Sequence, residues 1–361
     1  MQSDCIREEL LFDSLRHVPV IIDEDAHSWH DTVHHNTADA WDRCADILFL
    51  AHQVELSGFH NAFGAQLPLT TGWKLDRLAT RLQHVPGVTD IVRLMTFGWR
   101  IGRDLQAPDP TVTLGNHTGA NDFPEVMQAY MDKEVAASHM IGPFLSNPFT
   151  LPMGVSPMST RPKRGTTDRR VIVNMSWPLD GSSVNRYIDK TSYLGVYVVF
   201  HLPTVDSLAY CLHVLGPGAF MFKKDLWKAF RQVPVCPFDY RLLGVSWNGQ
   251  LFFNMSLPMG MTSSSYIMQT ISGALAQVCR QNDFFMEAYI DDFVGAESTL
   301  EAAWDSYYFL ENLFEDVGVV EAKEKSVAPT TNLEFLGTGF CSETMTMYVT
   351  EDRLVGLDEE L

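Results

Sequence analysis

The chain has 361 residues, 46% hydrophobic and 20% charged, a globular composition that excludes a disordered or fibrous chain and provides a sizeable core for about two or three lobes. Its formal net charge of −19 argues, taken globally, against phosphate binding, yet residues 160–250 hold 12 Lys/Arg against 6 Asp/Glu while residues 282–361 hold 3 against 19. Screening confines charge effects to roughly 10 Å at ordinary salt, so the basic middle can still form a local phosphate-binding groove.

The six cysteines (Cys5, Cys44, Cys211, Cys236, Cys279, Cys341) are scattered without a CxxC pair, which reads as buried thiols in a reducing compartment rather than disulfides or zinc ligands. No apolar run reaches membrane-spanning length, and Asp4, Glu8 and Glu9 are unlike a signal peptide. A soluble chain of the cytoplasm or nucleus, neither secreted nor membrane-bound, is the expectation.

Residues 1–110 carry the fewest signals and read as a largely helical extension of unknown role. Within them Trp41, Cys44, Ala45, Leu48 and Ala51 recur at helical spacing, predicting an amphipathic helix over 38–56 begun near Thr37. His27, His30, His34 and His35 invite a metal reading, but they lack the cysteine partners of a zinc finger and read as exposed chain. The sequence Gly115-Asn116-His117-Thr118-Gly119 is a loop, followed by a helix over 124–137 opened by Asp122 and Pro124.

Five prolines between 143 and 162 keep the next stretch extended. It runs into Lys163-Arg164-Gly165-Thr166-Thr167-Asp168-Arg169-Arg170 and then Val171 to Met175, a hairpin with cations at its tip or, equally, a solvated charged turn. Gly181 to Asn185 is another loop, and Tyr193 to His201 a short apolar stretch. Ala219 to Phe222 predicts a strand leading to Asp225, which either presents a carboxylate beside a sheet or caps a helix. Asn248-Gly249 between Leu242–Val245 and Leu251–Phe253 is a strong hairpin signal. A turn at Pro258-Met259-Gly260 precedes a helix over 263–278, and the pattern continues with a helix over 300–314, strands starting at Gly318 and at Leu333, and a further helix from Glu351.

Between the helices over 263–278 and 300–314 stands Ala288-Tyr289-Ile290-Asp291-Asp292-Phe293-Val294. An Asp-Asp pair taken alone is usually a solvated turn. Here apolar flanks imply that the acids emerge from a buried sheet, where neighbouring carboxylates repel each other unless a cation joins them, and a hard divalent ion is the natural partner.

The ordered set of strand-Asp, hairpin, Pro-x-Gly helix, Tyr-x-Asp-Asp hairpin, helix and Phe-Leu-Gly strand resembles the reverse transcriptases over roughly residues 140–350. Within that family the segment Asn116 to Phe144, Ser156-Pro157 and Ser183-Val184-Asn185 most resemble the tyrosine-recombinase (DIRS-like) retrotransposons. The resemblance implies an α+β right-hand polymerase: fingers and lead-in over 111–215, an antiparallel palm sheet backed by helices over 216–340, and a truncated thumb or connection from 341 to 361.

By similarity Asp225 and Asp291 are bridging metal ligands, with Asp292 beside them and the Leu226 carbonyl as an added ligand. The implied cofactor is a pair of Mg²⁺ ions, with Mn²⁺ able to substitute. Lys163 and Arg170 resemble finger residues that grip the incoming triphosphate, with Arg164 and Arg169 as rivals. Phe230 matches the bulky position that excludes a ribose 2'-hydroxyl, Gly260 the residue that lets backbone approach the nascent base pair, and Tyr289 the aromatic before the acids. Lys325 resembles the general acid for pyrophosphate, with Lys323 as rival.

The implied partners are an RNA or DNA template with primer, dNTPs, and RNase H and recombinase regions of the same element. Met261-Thr262-Ser263-Ser264-Ser265 departs from the Ser-Pro of many relatives. A remnant serving only as a nucleic-acid or protein-binding module is the main alternative; an RNA-dependent RNA polymerase is disfavoured by the aromatic Phe230.

Overall fold

The computed structural model describes residues 69, 71–163, 166–179, 181–198 and 202–350. The helix expected over 38–56, the four histidines His27, His30, His34 and His35, and the helix expected from Glu351 lie outside these residues.

The strands in chain order are β1 (Met140–Phe144), β2 (Met158–Pro162), β3 (Arg169–Val173), β4 (Ser192–Tyr193), β5 (Val196–Tyr197), β6 (Phe220–Asp225) and β7 (Gly244–Trp247). They continue as β8 (Gln250–Asn254), β9 (Phe285–Tyr289), β10 (Asp292–Glu297), β11 (Val327–Thr330), β12 (Asn332–Phe335), β13 (Thr338–Cys341) and β14 (Thr346–Val349). The central sheet has the order β11-β6-β10-β9 with every pair antiparallel. The other sheets are β1-β8-β7, β12-β13-β14 and the hairpins β2-β3 and β4-β5. The chain is therefore α+β, with the antiparallel palm and fingers organisation expected.

Side-chain alternation divides the central sheet into two buried faces. Phe222 and Phe293 point to one, where Phe293 meets Phe314 edge-on at 5.1 Å and Phe222 meets Tyr307 at 5.5 Å between centroids. This face packs on the helices Ser264–Arg280 and Leu300–Val317. Met221, Val294 and Ala296 point to the other, against Leu208 and Leu212 of the helix Val205–Leu215 and against Leu333, Phe335 and Phe340 of β12–β13.

The ring of Phe222 lies across Gly295, where a Cβ would come within 2.2 Å of it. Glycine at that strand position is required by close approach rather than by backbone angle.

Turn and cap chemistry accounts for several boundaries. Asn248 (φ 49°) and Gly249 (φ 74°) both occupy the left-handed region that a two-residue hairpin turn demands. Thr299 caps the helix Leu300–Val317 by accepting a hydrogen bond from the Ala302 amide at 3.2 Å. The helix Pro124–Ala136 opens on proline as expected, although Phe123 rather than Asp122 is its cap. The helix Val205–Leu215 had no expectation; its sequence signal is the Thr204/Ser207 capping box and the terminating Gly216.

Two expected strands differ. The run Val171–Met175 starts two residues earlier, because Arg169 and Arg170 join the ladder opposite Pro162 and Arg161, and it ends at Val173. No strand starts at Gly318: this glycine terminates the preceding helix in the left-handed conformation (φ 83°). Val320 exchanges hydrogen bonds with the Gln232 side chain at 2.8 and 2.9 Å, and backbone pairing is limited to a single antiparallel bridge between Glu321 and Leu226 just beyond β6.

Among the described residues no helix is long and apolar enough to cross a membrane. Cys211, Cys236 and Cys279 are buried unbridged thiols, each pushed up to about 12 by burial.

Candidate active site

Register sets the geometry of the acidic cluster. Asp292 is the direct partner of Asp225 on one side and of Tyr289 on the other, so the three side chains form one row on one face of the sheet. Asp291 occupies the two-residue turn between β9 and β10, and its carbonyl accepts a hydrogen bond from the Leu226 amide at 3.0 Å. Three carboxylates thus come from the ends of two adjacent strands and the adjoining turn.

That turn is strained. Ile290 has φ 57°, a conformation a β-branched residue adopts only when its surroundings impose it. The imposition comes from the helix Ser264–Arg280. Gln269 accepts from the Ile290 amide at 2.7 Å and donates to the Ala288 carbonyl at 2.8 Å, while the Ser272 hydroxyl donates to the Ile290 carbonyl. Sequence reading missed both residues; their signal is two polar side chains three apart on a helix otherwise committed to the core.

Lysines supply the opposing charge. The Lys325 Nζ lies 2.7 Å from Asp225 Oδ1, and Lys223 Nζ, unanticipated, 3.6 Å from Asp292 Oδ1. Of the two lysines open for the general-acid position, Lys323 instead pairs with Glu311 at 3.1 Å, so only Lys325 reaches the cluster. Burial works to lower the Lys325 pKa, but the hydrogen bond and charge of Asp225, with Asp291 and Asp292 behind it, raise it on balance. Lys224, the neighbour of Lys223, points to the opposite face and is fully buried against Glu321 at 2.8 Å and the Tyr307 ring at 3.6 Å.

Asp291 and Asp292 are held above the ordinary carboxylate range. Burial, then the charge of Asp225, raises Asp291. Burial raises Asp292 against the pull of Lys223, and the hydrogen bond and charge of Asp225 add to it. Asp292 Oδ1 is buried without a hydrogen-bond partner. Among the described residues no three His, Cys, Asp or Glu side chains are already arranged to hold a metal ion; in this arrangement lysines balance the acids. The donor chemistry nevertheless fits one: crowded, half-buried carboxylate oxygens, one without a hydrogen-bond partner, are what a hard divalent cation ligates.

The residues expected to grip the triphosphate lie on a separate sheet, the β2-β3 hairpin, and its tip. Lys163 is exposed at the end of β2, with its Nζ 3.4 Å from Asp168. Arg169 is committed to its own hairpin, donating to the Thr160 hydroxyl at 2.8 Å and stacking at 3.6 Å over Phe123. Arg170 alternates to the other side and is exposed, while Arg164 lies outside the described residues. The hairpin and the carboxylates are not in contact; a cleft of about 610 Å³ lined by His117, Phe123, Arg161, Arg169 and Gly260 adjoins the fingers.

Gly260 (φ 93°) closes that cleft, with a Cβ position 3.3 Å from the Val173 carbonyl. Asn185 brackets its turn, donating to the Gly260 carbonyl and accepting from the Thr262 amide, both at 2.8 Å. Phe230 sits half-buried in the short 3-10 turn Ala229–Gln232, five residues beyond Asp225.

Comparison with known proteins places this geometry. A family model described as reverse transcriptase (RNA-dependent DNA polymerase) matches residues 161–340. Protein P of duck hepatitis B virus (strain China) is 23% identical over 192 residues, which is 53% of this chain and 22% of that protein. Among solved structures, a foamy viral protease-reverse transcriptase in complex with double-stranded DNA is similar with a TM-score of 0.55 and 12% identity, covering 94% of this chain and 49% of the other. The same kind of protein with an RNA/DNA hybrid gives 0.51 and 14%, covering 82% and 39%. These structural likenesses concern the fold. The chain spans about a fifth of the curated relative and about half of the first of these structures.

Proposed function

We propose, from the premise that residues 161–340 are a reverse transcriptase domain, that this chain is an RNA-directed DNA polymerase that extends a primer on an RNA or DNA template with dNTPs. The observation that carries the reading is the row formed by Asp225 and Asp292 across β6 and β10, with Asp291 at the turn beside them. A half-buried carboxylate trio at the end of a sheet, repelling one another and served by lysines, suits nucleotidyl transfer better than it suits stability.

Asp225, Asp291, Asp292 and the Leu226 carbonyl are the groups that would hold a pair of Mg²⁺ ions. Such a pair supplies activation of the primer 3'-hydroxyl and neutralisation of the leaving pyrophosphate. The chain's own residues do the rest. Lys325, kept protonated by Asp225, is placed to give a proton to pyrophosphate. Lys163 and Arg170 grip the triphosphate from the fingers. Phe230 leaves no room for a 2'-hydroxyl and so selects deoxynucleotides. Gly260 lets backbone lie close to the new base pair.

An origin in a retrotransposon of the tyrosine-recombinase class rests on Asn116 to Phe144, Ser156-Pro157 and Ser183-Val184-Asn185; RNase H and recombinase coding regions beside this one would test it. The unbridged thiols support an intracellular setting. For the activity itself, Asp291→Asn is expected to abolish Mg²⁺-dependent primer extension with dNTPs while leaving the thermal melt cooperative. Undiminished extension by that variant would sink the assignment.

A further inference from the structure

Besides the Arg100–Asp239 pair, a second buried charged group lies outside the machinery described so far. Glu134, on the helix Pro124–Ala136, is 3% exposed and gathers two cations and an imidazole. Lys228 Nζ is 2.7 Å from its Oε1, and Arg231 Nε at 3.0 Å and His139 Nδ1 at 2.9 Å meet its Oε2. Arg231 is fixed further by donating to Asn254 Oδ1 at 2.7 Å and to the Tyr130 hydroxyl at 2.8 Å. Lys228 and Arg231 flank Phe230 in sequence, and the Arg231 amide closes the turn on the Lys228 carbonyl at 2.7 Å.

We propose that Glu134 is a positioning residue for sugar selection: it clamps both ends of the Ala229–Gln232 turn and thereby fixes where the Phe230 ring stands. The inference rests on the polymerase reading above, in which Phe230 excludes the ribose hydroxyl. Three physical points support it. Lys228 has φ 45°, a sparsely populated conformation for a non-glycine residue that persists only where surrounding bonds over-determine it. A buried ion cluster is seldom more stabilising than apolar packing of the same volume, so its distinctive contribution is direction. Exclusion of one hydroxyl by one ring tolerates little displacement, since a misplacement of about 1 Å can cost on the order of 100-fold.

The test uses the full chain with a template–primer, Mg²⁺, and dGTP or GTP as the incoming nucleotide, comparing Glu134→Gln, Lys228→Met and Lys228→Arg with Phe230→Ala. In Glu134→Gln and Lys228→Met the preference for dGTP in kcat/KM is expected to fall about tenfold or more. The change should come from a lower KM for GTP, with kcat for dGTP within about threefold of the parent. Lys228→Arg, which preserves the charge at Glu134, is expected to keep the preference.

Equal losses of kcat for both sugars, or an unchanged preference while Phe230→Ala relaxes it, would overturn the positioning role and leave the polymerase reading standing. An unchanged preference in Phe230→Ala itself would instead remove the gate, and this inference with it. Should Glu134→Gln fail to fold, Lys228→Met decides, because it leaves Glu134 bonded to Arg231 and His139.

Discussion

Asp225 and Asp292 stand opposite each other across β6 and β10, yet each is balanced by a different lysine, Lys325 at 2.7 Å and Lys223 at 3.6 Å. Burial raises the Asp292 carboxyl, and Asp225 adds to it despite Lys223; a raised folded-state value means that ionisation at neutral pH works against the fold. Asp292→Asn is therefore expected to raise the melting temperature by about 2 °C or more in EDTA at pH 7.5. Added Mg²⁺ should stabilise the parent more than the variant, since ligand binding to the native state shifts its melting point. Calorimetry checks both; a lower melting point in EDTA would show that the Lys223 pair outweighs the repulsion.

Gln269 makes no contact with substrate in the proposed reaction, but it holds the turn that presents Asp291 through two bonds to Ile290 and Ala288. Gln269→Ala should cost about 1–3 kcal/mol in urea unfolding, the usual loss for unsatisfied buried backbone groups. Primer extension should fall by roughly 10- to 100-fold in kcat with KM for dNTP little changed, because the carboxylates move while the nucleotide contacts remain. A fall in KM-dependent terms alone would assign Gln269 to nucleotide binding instead.

Much of this site was legible from local chemistry. Asn248-Gly249 fixed its hairpin because both residues accept positive φ, and the alternating apolar flanks of Asp291 and Asp292 marked paired strands around a turn. Family resemblance grouped Asp225 with Asp291 and Asp292, but that Asp292 rather than Asp291 stands in register with Asp225 was not legible, because register between segments sixty-odd residues apart is set by packing and not by local propensity. Lys223, Gln269 and Glu134 were invisible for the same reason: each is an ordinary polar residue whose role depends on a partner distant in sequence. The strand expected from Gly318 shrank to a single bridge between Glu321 and Leu226, because the Gln232 side chain takes the Val320 amide that a neighbouring strand would otherwise have paired.

Gly295 tests the packing beneath the carboxylates. Its absent Cβ makes room for the Phe222 ring, which would stand 2.2 Å from that atom, and both flanking strands are pinned by the core. Gly295→Ala should destabilise by about 1–3 kcal/mol or more through overpacking. Phe222→Leu combined with it should recover part of the loss, a non-additivity expected of residues in contact. Additive losses in a double-mutant cycle of urea unfolding would show that the ring relocates elsewhere.

Glu134 sets the acid limb of stability. Burial alone would raise its carboxyl, but the His139 hydrogen bond, Arg231 and Lys228 together lower it from 4.5 to about 2. A depressed folded-state value means that the native chain binds fewer protons than the unfolded one. Its contribution is fully present above pH 4.5 and lost as pH falls from there toward 2. A contribution on the order of 3 kcal/mol follows for a shift of this size in a nearly buried group. Urea midpoints of the parent should therefore fall more steeply between pH 5 and pH 3 than those of Glu134→Gln, which has no proton to gain there. Parallel pH profiles for the two proteins would show that the cations around Glu134 hold it no better in the folded chain than in the unfolded one.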